Sequence, residues 1–148
     1  MTIPELITPD RTLCAIEGVS KKRTLEILAN TIARAVPSIN ADEVFRRLIA
    51  RERLGSTGIG FGIALPHCRM ECGSKAIGAL ITLKQPIEFD AIDGQKVDIL
   101  FAMLVPENAN AEHLDTLSSL ARSLNDAGFR DSLRQADSDQ ALFQAAVS

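Results

Sequence analysis

The sequence predicts one β-sheet covered by helices, an α/β or α+β sandwich. Three observations carry this: helical spacing in the early chain, extended apolar runs in the middle, and helical spacing again after them. At 148 residues the chain has the usual size of one domain and can bury a core without disulfides, so 1–148 is read as a single domain.

The elements follow in order. Thr12-Leu13-Cys14-Ala15-Ile16 is a short apolar piece after two prolines and is expected as an edge strand. Ser20 is placed as an N-cap, after which Leu25, Leu28, Ile32 and Val36 keep helical spacing until Pro37 stops it. Ala41-Asp42-Glu43 opens a second helix, with Val44, Phe45, Leu48 and Ile49 on its apolar side. Four of the nine glycines, Gly55, Gly58, Gly60 and Gly62, then crowd one stretch and exclude helix. Ile59, Phe61 and Ile63 alternate with them, which predicts a loop feeding a short strand or hairpin and running on into Ala64-Leu65-Pro66-His67. Residues 76–83 are expected as a strand, 86–94 as a turn-rich connection, and 97–105 as a central strand because that run is almost continuously apolar. Leu114, Leu117, Leu120, Ala121 and Leu124 line one face of a later helix, with shorter helices expected at 130–136 and 138–147.

Composition narrows the function. With 46% hydrophobic and 24% charged residues and a net charge of −3, the chain has no general attraction for nucleic acid or anionic membrane. It has six Phe and no Trp or Tyr, so platforms for stacking bases or sugars are absent. The apolar run at 99–105 falls far short of the ~20 residues of a membrane span, so no membrane insertion is expected. Three cysteines, Cys14, Cys68 and Cys72, cannot all pair, and Thr2-Ile3-Pro4-Glu5 is too polar for a signal peptide, which points to the cytoplasm.

Only two histidines occur, so imidazole chemistry has two seats. His67 follows Pro66 at the end of the Gly-rich segment, on closely packed backbone; taken alone, it is equally a histidine that merely satisfies a strand end. Arg51, Ser56 and Thr57 nearby are anion-friendly, although Arg46, Arg47 and Arg53 make any one arginine a weak signal. The glycines lack the Gly-Lys-Ser/Thr of a nucleotide loop and follow a helix, which disfavours a nucleotide. His113 stands where a helix begins, a position that suits anions, or is a first-turn surface residue. Both are candidates to converge at the carboxyl end of the central strand. His67, Cys68 and Cys72 would not close a zinc site, since His67 and Cys68 point to opposite faces of a strand and no second cluster exists. No Gly-x-Ser-x-Gly elbow is present either.

The stretch Arg51-Glu52-Arg53-Leu54-Gly55-Ser56-Thr57-Gly58-Ile59-Gly60, continued by Gly62-Ile63-Ala64-Leu65-Pro66-His67, closely resembles the signature of fructose/mannitol-type enzyme IIA domains of the bacterial phosphotransferase system. Pro86-Ile87-Glu88-Phe89-Asp90, Val97-Asp98-Ile99-Leu100-Phe101, Leu104-Val105-Pro106 and His113-Leu114 look like later blocks, so the resemblance spans nearly the whole chain. It is most similar to the stand-alone nitrogen-regulatory members. The resemblance implies an α/β sandwich with a mixed central sheet flanked by helices. It implies His67 as acceptor of a phosphoryl group from an HPr-like phosphocarrier (NPr), with His113 as second active-site histidine and Arg51 as phosphate neighbour. Regulated targets such as kinases or transporters would be partners, and no cofactor or metal is expected. The role implied is that of phosphoacceptor and regulator rather than turnover of a small molecule; the alternative is a IIA component of fructose- or mannitol-type uptake that passes phosphate to a IIB domain. Cys68-Arg69 departs from the Gly-Lys frequent in relatives. The acceptor is expected in a shallow apolar depression that includes Ile59, Phe61 and Leu65.

Overall fold

The computed structural model describes residues 2–18, 20–109 and 111–148, with the side chains of Ala111, Glu112 and Leu114 outside that description. Its helices are α1 (Ile3–Leu6), α2 (Lys21–Ala35), α3 (Ala41–Leu54), α4 (Ala111–Leu124), α5 (Ala127–Gln135) and α6 (Asp139–Val147). Its strands are β1 (Thr12–Ile16), β2 (Gly58–Gly60), β3 (Ile63–Ala64), β4 (His67–Arg69), β5 (Ile77–Ile87) and β6 (Val97–Val105). The strand order is β1-β5-β6-β3-β2, with β4 also paired to β6. β5 runs antiparallel to β6 while β3 and β4 run parallel to it, so the sheet is mixed.

β6 divides the core. Its residues alternate between two apolar clusters: Leu100, Ala102 and Leu104 pack with Leu25, Leu28 and Ile32 of α2 and Val44 and Leu48 of α3. Ile99, Phe101, Met103 and Val105 pack on the other face with Leu120 and Leu124 of α4, Leu133 of α5 and Leu142 of α6. Burial on both faces is why this strand reads as an unbroken apolar run. The helices start where polar caps allow. Ser20 accepts from the Arg23 amide, Asn40 from Glu43, Asp126 from Phe129 and Ser138 from Ala141.

Several boundaries differ from the sequence expectation. β5 continues to Ile87, through Pro86, where a turn-rich connection was expected. Proline is accommodated because the β5–β6 register breaks between Thr82 and Ile87, leaving 84–86 exposed. α5 begins at Ala127 rather than Arg130, since the Asp126 cap draws Gly128 into the helix. α1 was not anticipated; it has only four residues, too few to show a period. Leu114, expected on the apolar face of α4, lies outside the described side chains.

The Gly-rich stretch forms the β2–β3 hairpin. Gly60, Phe61 and Gly62 all have positive φ, at 101°, 59° and 80°. Phe61 is held there by its amide donating to Asp93 Oδ2 at 3.1 Å and its carbonyl accepting from Arg134 Nη2 at 2.6 Å. The Arg130 guanidinium also lies 4.3 Å from its ring centre. A Cβ on Gly62 would sit 2.5 Å from Arg134 Nη2 and 2.7 Å from Asp98 Oδ1. Gly62→Ala is therefore expected to destabilise the fold by about 1–3 kcal/mol, read from urea midpoints; a change within 0.5 kcal/mol or so would show that the turn does not need glycine.

Candidate functional site

Pro66 separates β3 from β4 where a continuous segment was expected. It lacks an N–H, but its carbonyl accepts from the Met103 amide at 2.9 Å, and this registers the next residue, His67, against Met103. Paired residues of parallel strands share a face. His67 therefore looks to the α4 side with Met103, while Cys68 pairs with Leu104 and enters the opposite core at 8% exposure.

The His67 ring is fixed by one contact. Its Nδ1 lies 2.8 Å from the Leu65 carbonyl oxygen. A carbonyl only accepts, so Nδ1 carries the proton and Nε2 keeps its lone pair. Burial holds the imidazole below its ordinary pKa, the Leu65 carbonyl pulls the other way, Arg51 adds a smaller downward push and Glu52 an upward one.

His67 opens into a cavity of about 450 Å³ between α3, β4, the end of β6 and the start of α4. The cavity brings His67, His113 and Arg51 together at the carboxyl end of the central strand. His113 is the third residue of α4, and its Nδ1 is buried without a hydrogen-bond partner among the described residues. Arg51, in the last turn of α3, donates to the Gly55 carbonyl at 2.8 Å. Arg47 and Arg69 also line the cavity but are tied down: Arg47 bonds Glu43 at 2.6 Å and the Arg69 carbonyl at 2.9 Å, and Arg69 reaches the Glu107 and Ala109 carbonyls at 3.4 and 3.3 Å. Arg69 thus fastens β4 to the segment that leads into α4.

The apolar wall is not the expected one. Ala50, Leu54, Met103, Val105 and Leu117 supply it. Phe61 sits at the hairpin tip against Arg130, and Ile59 precedes it on β2, so neither borders this cavity. Leu65 is buried and contributes its carbonyl. The signal missed was positional: Arg47, Ala50, Arg51 and Leu54 share one face of α3 at three- and four-residue spacing, and alternate β6 residues share the face of His67. Leu54 is left 84% exposed at the rim. Burial pushes the Cys68 thiol up to about 12 and the Cys72 thiol to about 11, so both are poor thiolates. Among the described residues, no cluster of three or more His, Cys, Asp or Glu side chains has metal-binding geometry. Nor is any described helix long and apolar enough to cross a membrane.

Residues 5–146 match the family described as "Phosphoenolpyruvate-dependent sugar phosphotransferase system, EIIA 2". The chain belongs to that family. Among relatives of this enzyme IIA domain, the nitrogen regulatory protein of Pseudomonas aeruginosa is 48% identical over 98% of this chain and 94% of its own length. That of Escherichia coli K12 is 41% identical over 97% of this chain and 88% of its own. The crystal structure of nitrogen regulatory protein IIA-Ntr from Neisseria meningitidis superposes with a TM-score of 0.89 at 39% identity, covering 97% of this chain and 98% of that one.

The half-buried His67 ring of the enzyme IIA domain carries a pH signature. His67 is harder to protonate when folded than when unfolded, so stability is complete above the ordinary imidazole value of 6.5 and is lost as pH falls through the lower folded value. Urea midpoints measured between about pH 7.5 and 5.5 should fall for the wild type and fall less for His67→Gln; equal losses would show that His67 does not contribute.

Proposed function

We propose that this chain is a nitrogen-regulatory IIA protein of the cytoplasm that accepts a phosphoryl group on Nε2 of His67 from an HPr-like phosphocarrier (NPr). Its phosphorylation state then governs its binding to target proteins such as kinases or transporters. The observation that carries the acceptor assignment is the Nδ1–Leu65 hydrogen bond, which leaves Nε2 as the nucleophile without any base to deprotonate it. The nitrogen regulatory relatives support the regulatory role.

In the transfer, the Nε2 lone pair forms the new N–P bond as the N–P bond to the carrier's histidine breaks, and the released pair returns to the carrier's ring nitrogen. The proton stays on Nδ1, where the Leu65 carbonyl takes up the positive charge that develops on the ring. Arg51 and His113, which line the same cavity as His67, hold the phosphoryl oxygens in this reading, and the apolar wall with Leu54 at its rim excludes water once the carrier docks. The phosphoryl group then adds roughly −1.5 to −2 of charge to an apolar face, enough to break or remake a complex there.

Incubation with labelled phosphocarrier tests this. His67→Ala should take up no label, and His113→Ala should label more slowly, by roughly 100- to 1,000-fold, the cost of losing one oxyanion donor, with the acceptor intact. Stoichiometric labelling of His67→Ala would overturn the acceptor assignment. Efficient onward transfer to a fructose- or mannitol-specific IIB would favour the uptake role over regulation.

A further inference from the structure

Among the described residues, Glu52 is the most deeply buried acidic side chain in an ion pair, 4% exposed, and the transfer chemistry does not use it. It follows Arg51 on α3 yet points away from the cavity, into the base of the Gly-rich segment. The Thr57 amide donates to both its oxygens, at 3.2 and 3.3 Å, and the Thr57 hydroxyl donates to Oε1. Lys21 of α2 holds its other side, Nζ to Oε2 at 2.8 Å. Lys21 is itself fixed by the Phe89 carbonyl at 3.3 Å and the Phe89 ring at 4.5 Å.

Desolvating a carboxylate offsets much of what an ion pair returns, and this one, 4% exposed beside a part-exposed Lys21, is spent on holding the backbone and hydroxyl of Thr57. That hold leads to the histidine. The Thr57 carbonyl accepts from the Leu65 amide at 3.0 Å, and the Leu65 carbonyl accepts from His67 Nδ1 at 2.8 Å. Between Thr57 and Leu65 lie Gly58, Gly60 and Gly62, which offer no side chains to lock the backbone. The Leu65 backbone is thus pinned on its amide side by Thr57 and beyond its carbonyl by Pro66, whose own carbonyl accepts from the Met103 amide, and the first of these pins depends on how Thr57 is held.

We propose that Glu52, with Lys21 as its counter-ion, is a positioning residue for phosphoryl acceptance: by fixing Thr57 it aims the Leu65 carbonyl at His67 Nδ1 and so keeps Nε2 unprotonated. This rests on His67 being the acceptor. Without the Glu52 carboxylate, Leu65 loses the pin on its amide side, its carbonyl no longer points squarely at the ring, and the Nε2–H tautomer, which cannot attack phosphorus, becomes populated.

The test is heteronuclear NMR of the ¹⁵N-labelled imidazole of His67 near pH 7.5, paired with the initial rate of labelling by phosphocarrier. Wild type should show the single Nδ1–H form. Glu52→Gln, which keeps the shape but not the charge, should show both tautomers and label roughly tenfold more slowly, short of the roughly hundredfold that a 1 Å misplacement can cost. The carrier concentration for half-maximal rate should not change, since the docking face is untouched. Thr57→Val should move both readouts in the same direction and Thr57→Ser should restore them, which keeps the test valid if Glu52→Gln fails to fold. A single wild-type tautomer in folded Glu52→Gln or in Thr57→Val overturns the proposal, as does a mixed tautomer with an unchanged rate. If wild type takes no label, the acceptor reading fails, while the tautomer measurement still decides whether Glu52 sets the ring.

Discussion

The two-sided burial of β6 is the constraint from which the rest of the molecule follows. Because Ile99, Phe101, Met103 and Val105 are committed to one apolar layer and Leu100, Ala102 and Leu104 to the other, the register of every neighbouring strand is fixed. A slip of one residue would invert each partner's faces. β4, only three residues long, inherits its orientation from this arrangement: His67 must share the face of Met103, and Cys68 must be buried with Leu104. The His67 ring is thus aimed by a strand far larger than the one that carries it.

Around that ring the protein assembles pieces from separate parts of the chain. α3 brings Arg51 and Leu54 from one side, α4 brings His113 and Leu117 from the other, and Arg69 clips the segment before α4 to β4 through the Glu107 and Ala109 carbonyls. Arg69, the second residue after the histidine, therefore has a structural engagement. Its charge is partly spent on two backbone oxygens rather than left free at the rim.

Much of this was legible in the sequence, and the parts that were not share a cause. β6 and the longer helices were readable because their apolar residues repeat over several turns or positions, and the cap Ser20 precedes the first of those helices. Both histidines stood out by scarcity and by the glycines ahead of one of them. The passage of β5 through Pro86 was not readable, because it depends on a local break in pairing that leaves the proline unopposed. Nor was the cavity wall: Ile59 and Phe61 adjoin the signature in sequence, but a turn with three successive positive φ values carries Phe61 to the far end of the hairpin. Glu52 was invisible for a different reason. It lies between two arginines, Arg51 and Arg53, on a strongly polar helix, where only the tertiary fold reveals which carboxylate is turned inward.

The Gly-rich hairpin is clamped at both ends, by Glu52 and Lys21 at its base and by Arg130 and Arg134 of α5 at its tip. A segment so rich in glycine would otherwise be the softest in the molecule. Stiffened in this way, it has little capacity to relay events at His67 by bending. A message sent from this surface through the hairpin would then be written as electrostatic potential on an almost unchanged shape, so a partner would read charge at the cavity mouth rather than a bend in the hairpin.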